Sequence, residues 1–264
     1  MTSRPNPLPA FAGLAPPPSP AADLRLTLGL DAVDARLGGG LAIAALHELY
    51  AQGEGDAASV TAFALLLALR CGRPGPVLWL REDRAARHDR PYGLGLADLG
   101  LDPARLVLVQ APDTLALLRA GAEAVGCAAL AAVLLEPFGK AAAFDLTASR
   151  RLMLASARSG VLTLALRNGD PVPSAAQSRW QVGAAASLTP GAAAPFSTLG
   201  ASAPGAPVFA VTLLRHRSGI GGFATRLEWD RDSASFIAPR SGPAPAAVPL
   251  RAAAAAEPGR RRAA

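Results

Sequence analysis

The chain has 264 residues, room for one large domain or two small ones, and a hydrophobic fraction of 51% allows a substantial core. Much of that fraction is alanine, which brings little burial energy per residue, and the charged fraction of 17% falls below the usual quarter or so. A net charge of +6 and a pI near 10.5 suit an anionic partner such as nucleic acid. Lys140 is the single lysine, so this is an arginine excess, and part of it sits in a tail bearing Arg251, Arg260, Arg261 and Arg262.

The two cysteines, Cys71 and Cys127, are far apart, with no CxxC and no neighbouring histidine. That argues against a disulfide framework or a zinc site and for buried thiols in a reducing cytoplasm. No uncharged apolar run reaches spanning length, and the proline-rich start does not read as a signal peptide.

In chain order, residues 1–24 form a proline-rich lead-in, residues 25–239 a core domain, and residues 240–264 a low-complexity basic tail suited to docking. Within the core, residues 43–50 (IAALHELY) predict a strand entering a turn. Residues 57–70 predict a helix stopped by Gly72 and Pro74. Residues 76–80 (PVLWL) and 106–110 (LVLVQ) read as buried strands, the second followed by a turn and a helix capped by Thr114 and running to Val125. Residues 129–135 form another apolar strand, ended by Glu136-Pro137. A helix over Asp145–Ala157 stops at Ser159-Gly160, and a strand over 160–166 follows. This alternation predicts an α/β fold with a mostly parallel central sheet and helices on both faces. The final third changes character. Residues 179–188, 207–217 and 222–230 predict strands, with Gly219–Gly222 as a hairpin connection, and should extend the parallel sheet as an antiparallel edge.

The first strand, loop and helix have the layout of a nucleotide site, but the loop Ala51–Ser59 departs from the GxxxxGK[ST] pattern. A working loop wraps phosphates with backbone N–H groups, neutralises them with lysine and holds magnesium with a hydroxyl. Here Gly53, Gly55 and Ser59 remain, while Asp56 replaces the second glycine, Ala57 the lysine and Ala58 the hydroxyl residue. Glu54 and Asp56 add negative charge, costing about 1 kcal/mol each beside a phosphate even when solvated. These positions are therefore vestigial, and neither ATP nor magnesium is expected as a cofactor, nor any other metal. Glu136 stands where a magnesium-orienting carboxylate would sit, or it simply ends its strand. Glu82 or Asp83 stands where a water-activating base would sit. His47 alternates with apolar neighbours and reads as a structural histidine, and Trp180 and Trp229 read as packing residues. Arg215, His216, Arg217 and Arg226 form a candidate DNA or partner contact, or else a solvated basic edge.

The stretch GGGLAIAALHELYAQGEG resembles the RecA segment in which a glycine-rich turn leads to a strand ending Glu-x-Tyr, here Glu48 and Tyr50, and then the P-loop. Leu108–Thr114 is similar to the RecA stretch Gln-Pro-Asp-Thr, with Ala111 as one extra residue, and Glu136 matches the RecA Walker B aspartate. Within that superfamily, HELY before a lysine-free loop and VLWL after it look like the ImuA family. So do Ser149-Arg150-Arg151-Leu152, Ser178-Arg179-Trp180, Leu214–Arg217 and Leu227–Asp230. The resemblance runs from about residue 30 to about residue 235. It implies a RecA-like core and a non-catalytic accessory role in SOS-induced, error-prone translesion DNA synthesis. It also implies an ImuB-like Y-family protein, an error-prone replicative-type polymerase and RecA as partners, in the cytoplasm. Two alternatives accompany it. One is a weak ATPase in which Arg81 and Arg84 replace the lysine; the other is a division inhibitor similar to SulA.

Overall fold

The computed structural model describes residues 24–88, 90–187 and 205–239. The proline-rich lead-in up to residue 23 and the docking tail expected over 240–264 lie outside the described residues.

The described chain begins with β1 (Arg25–Leu26), α1 (Asp31–Arg36) and β2 (Leu41–Ala42), the two strands pairing antiparallel around the helix. Asp34 holds this unit by accepting the Leu28 N–H at 2.7 Å and the Gly29 N–H at 3.0 Å. β3 (Leu46–Ala51) leads through a 3₁₀ turn at Glu54–Asp56 into α2 (Ala57–Arg70). Then come β4 (Val77–Glu82), α3 (Asp83–His88), α4 (Gly93–Asp98), β5 (Leu106–Ala111) and α5 (Thr114–Gly126). β6 (Ala132–Glu136), α6 (Leu146–Ser159), β7 (Leu162–Arg167), β8 (Ser178–Ala185), β9 (Val208–His216), β10 (Phe223–Asp230) and β11 (Ser235–Ile237) complete it.

One nine-stranded sheet runs β11-β10-β9-β8-β3-β7-β6-β4-β5. The strands from β8 to β5 are parallel, and β9, β10 and β11 are added antiparallel. The fold is thus α/β with a large mixed sheet, mostly parallel, as the alternation of apolar runs and helices predicts. β8 corrects the expectation that the whole final third is antiparallel: it pairs parallel with β3, with Leu49 opposite Trp180. The chain crosses over β3 between β7 and β8, and such a crossover delivers a strand in the same direction.

Two apolar layers cover the sheet. On one face, α2 packs Phe63, Leu66 and Leu67 against Leu49, Leu164, Val182 and Leu213. Phe63 touches Phe209 and Phe236 at ring distances of 5.5 and 5.3 Å, and Trp229 meets Phe236 at 5.0 Å. On the other face, α5 and α6 place Leu117, Val125 and Leu152 over Leu80, Leu135 and Ala165. Full burial of each such side chain contributes about 1.5–3 kcal/mol. α2 is apolar nearly all round because it is wedged between the sheet and the N-terminal unit, whereas α6 keeps a polar outer face.

Local signals act at the element ends. Gly160 stops α6 in the left-handed conformation, φ 74°, a geometry that suits glycine. α5 is capped by Asp113, not Thr114 as expected: the Asp113 carboxylate accepts the Ala116 N–H at 2.7 Å, and the Thr114 hydroxyl is used elsewhere. β3 starts at Leu46 because Ile43–Ala45 bend, and β6 starts at Ala132 rather than 129. Of the two thiols expected to be buried, Cys71 is buried and Cys127 is exposed just beyond α5. No helix among the described residues is long and apolar enough to cross a membrane.

Candidate functional site

In open α/β sheets a ligand crevice forms at the carboxyl ends of the strands, where neighbouring connections leave in opposite directions. In this sheet neighbouring connections leave in opposite directions at two places, between β6 and β4 and between β3 and β7, and the second of these is the candidate crevice. The loop after β3 borders it, as the strand-loop-helix reading requires.

The loop is closed on itself. Asp56 accepts the Gly53 N–H through Oδ2 at 2.9 Å and the Ala184 N–H of β8 through Oδ1 at 2.8 Å. The Gln52 N–H donates to the Val182 carbonyl at 2.9 Å, tying the start of the loop to the same strand. Gly183 lies beneath, where an added Cβ would stand 2.5 Å from Gln52 Oε1 and 3.1 Å from Asp56 Oδ2. Thus Asp56 serves the loop as an internal anion. Gly53 is extended, φ −141° and ψ 173°, so the turn does not use it for a left-handed conformation. Ala57 opens α2 with a methyl group where a lysine would be required, and Ser59 sits half-buried in the same first turn.

Beside the loop the chain's own buried side chains bond to one another. Tyr50 and Arg167 stand opposite each other across β3 and β7, and both are buried. Arg167 stacks 4.2 Å over the Phe144 ring and donates to the Phe144 carbonyl at 3.1 Å. Below them Glu48, fully buried, accepts through Oε2 from Arg179 Nε at 2.9 Å, Ser174 Oγ at 2.8 Å and the Tyr50 hydroxyl at 3.3 Å. Glu48 Oε1 has no hydrogen-bond partner among the described residues. Burial, and then the neighbouring Glu48 carboxylate, push the Tyr50 phenol above its ordinary range.

Glu136 ends β6, two strands away from β3, and is already engaged. Arg81 grips it in a fork, Nε to Oε2 at 2.6 Å and Nη2 to Oε1 at 3.0 Å, and Trp79 Nε1 donates to Oε2 at 2.8 Å. The Arg81 guanidinium also stacks 4.7 Å from the Trp79 ring. The acidic residues after the second strand separate in role. Glu82 is buried and accepts from Thr114 Oγ1 at 2.6 Å and the Phe138 N–H at 3.2 Å, while Asp83 is half-buried in the first turn of α3. Arg84, the other candidate substitute for the lysine, lies 4.9 Å over the Phe138 ring. The structure therefore places every vestigial position near the carboxyl edge of the sheet. Gly53 follows β3, whereas Glu136 ends β6 and Asp83 follows β4, two and three strands along the sheet. Among the described residues no group of three His, Cys, Asp or Glu is arranged to hold a metal ion.

The basic candidates are dispersed as well. Arg215 and Arg217 are exposed at the end of β9, but His216 is buried, with Nδ1 accepting the Ser218 N–H at 3.3 Å. Arg226 pairs in register with Ala210, five residues from Arg215 along β9, which is about 17 Å. The four do not form one patch.

At the opposite, amino edge of the sheet, His47 is the structural histidine that its alternation predicts. The described geometry fits a neutral ring donating from Nε2 to the Ala42 carbonyl at 2.8 Å and accepting the Ser178 hydroxyl at Nδ1, 2.6 Å away. Trp180 Nε1 donates to the same hydroxyl at 2.7 Å. Burial, with smaller contributions from the His216 and Arg25 charges, lowers the His47 pKa to about 4.

Sequence reasoning missed three partnerships: Asp56 with β8, Arg81 with Glu136, and Arg179 with Glu48. The second left a signal, since Arg81 and Glu136 end neighbouring apolar runs and stand directly opposite in register. The other two depend on β8 lying beside β3, which local sequence does not specify. No protein-family model matches the chain, and no curated protein matches it.

Proposed function

We propose that the chain is a non-catalytic, RecA-like accessory protein of the ImuA kind, working through protein contacts in SOS-induced, error-prone translesion DNA synthesis. The observation that carries this reading is Asp56: the loop donor that a phosphate would depend on is held by a carboxylate of the loop itself, with an alanine at the lysine position. A triphosphate at this turn would meet negative charge and no cation.

Two further observations support a contact role. The strand-loop-helix unit stands centrally in the sheet, and its loop is bonded to β8 through Asp56. At the far edge, β5 has no strand on its outer side among the described residues, and it exposes Val107 at 42% and Leu108 at 49%. An uncovered apolar edge strand is a template for another chain. The partners in this reading are an ImuB-like Y-family protein, an error-prone replicative-type polymerase and RecA.

Two measurements test it together. Co-purification with the ImuB-like protein should recover a complex at micromolar concentration. Calorimetry with ATP and magnesium should show no saturable heat. ATP held tightly and hydrolysed at Gly53–Ser59 would overturn the reading in favour of an ATPase, and failure to join any of the three partners would remove the proposed role.

A further inference from the structure

α5 and α6 lie side by side on one face of the sheet and leave a long groove between them. It consists of two abutting cavities of about 740 and 560 Å³ that share Ala122, Glu123 and Arg151. The outward stripe of α6 is Thr147, Arg151, Leu154 and Arg158, and that of α5 is Leu115, Arg119, Ala122 and Gly126. Both stripes step by four, three and four residues, so each forms a straight ridge facing the channel. Small residues, Ala122, Gly126, Ala148 and Ala155, keep the middle of the channel low. A third helix can then approach to the 8–10 Å or so typical of packed helices.

The lining combines two properties that a solvated helix face does not need. Leu115 and Leu154 are half-exposed at 50% and 52%, so apolar surface is left open along the channel. Arg119, Arg151 and Arg158 have no hydrogen bond, ion pair or ring contact among the described residues, although Glu123 lies in the same channel. The other carboxylate there, Asp145, is used to cap α6, accepting the Ala148 N–H at 2.8 Å. Uncommitted guanidinium groups beside exposed leucines match a ligand that is both acidic and apolar.

This chain does not supply that ligand from its remaining segments. Residues 240–264 carry Arg240, Arg251, Arg260, Arg261 and Arg262 against the single acidic residue Glu257, the wrong sign. Residues 188–204 hold no charged residue, and in residues 1–23 Arg4 is balanced by Asp23.

We propose that the α5–α6 groove docks an acidic amphipathic helix of another polypeptide. Carboxylates seven residues apart on that helix pair with Arg151 and Arg158, which are about 10.5 Å apart along α6. Apolar residues between them cover Leu154, and an apolar residue beyond the carboxylate on Arg151 covers Leu115. This deepens the contact-making reading by naming a surface and its partner's chemistry. ATP turnover at the loop would end that reading and leave the groove argument standing.

The test uses the full chain and a fluorescein-labelled helical peptide of about 18 residues, about five turns, with Glu at every seventh position and Leu between. Its control is the same composition scrambled to break the periodicity. The matched peptide should bind with micromolar affinity, the scrambled one far more weakly. The double variant R151E/R158E should bind the matched peptide at least ~10-fold more weakly, and Leu154→Ala should weaken it as well. These side chains are exposed, so circular dichroism and the melting temperature of the variants should stay near those of the parent. Equal binding of the scrambled peptide would overturn the proposal, as would no binding at ~1 mM. So would displacement of the peptide by single-stranded DNA through the same two arginines, which would mark a nucleic-acid face. Sedimentation showing that the parent chain self-associates and the double variant does not would assign the groove to a second copy instead.

Discussion

His47 allows the folding free energy to be linked to one side chain through pH. The ring is fully buried, and its pKa is about 4 in the folded chain against about 6.5 when exposed. Because the folded pKa is depressed, the unfolded chain binds a proton first as pH falls. The stability attached to the neutral ring is therefore complete well above pH 6.5 and is lost progressively down to pH 4. A difference of about 2.5 pKa units corresponds to about 3.4 kcal/mol over the whole window, of which about 2 kcal/mol is lost between pH 7 and pH 5. For a domain of this size that is a fall of about 4–8 °C in melting temperature. Urea unfolding at pH 7 and pH 5 measures it directly, with His47→Gln as the comparison. The variant starts less stable, since it disturbs the Ser178 and Ala42 contacts, but its own stability should change much less between the two pH values. His216 is also shifted down, by burial first and then by the Arg25 charge, so His216→Gln is run beside it to separate the two slopes. The positive charges facing His47 are His216 and Arg25, and both oppose its protonation. If parent and His47→Gln lose the same stability between pH 7 and pH 5, the buried neutral ring is not the source and the reasoning fails.

The carboxyl edge and the core give three more expectations. Arg81→Met should cost about 3 kcal/mol by leaving Glu136 with a largely buried, half-satisfied charge, and adding Glu136→Gln should restore much of it in a double-mutant cycle followed by urea unfolding. Phe63→Ala removes the ring that touches both Phe209 and Phe236 and should cost about 3–5 kcal/mol by the same assay. Asp56→Ala unties the loop from β8 and should cost about 1 kcal/mol, because these bonds lie near solvent. Hydrogen exchange should then speed up at Gly53 and Ala184 together, and exchange rising at only one of them would show that the carboxylate does not bridge the two.

What the sequence made legible, and what it did not, follows from how far apart the deciding residues are. The buried strands VLWL and ALAAVLL, the stop at Gly160 and the inward alternation of His47 rest on neighbours within a few positions, so composition and period are enough for them, whereas the Ser178 partner of His47 lies 131 residues away. Order within the sheet rests on pairings more than a hundred residues apart, such as Leu49 with Trp180, and no local pattern encodes them. Local pattern therefore reads β8 as antiparallel and gives Arg179 no partner, which the sheet supplies in Glu48. The same distance separates the two readings of the loop. From the sequence, Asp56 is a charge that would repel a phosphate; beside β8, it becomes the acceptor that holds Gly53 and Ala184. The first reading makes the loop a defective nucleotide site. The second gives it a structural task of its own, which explains why the turn remains ordered around a carboxylate where a lysine is missing.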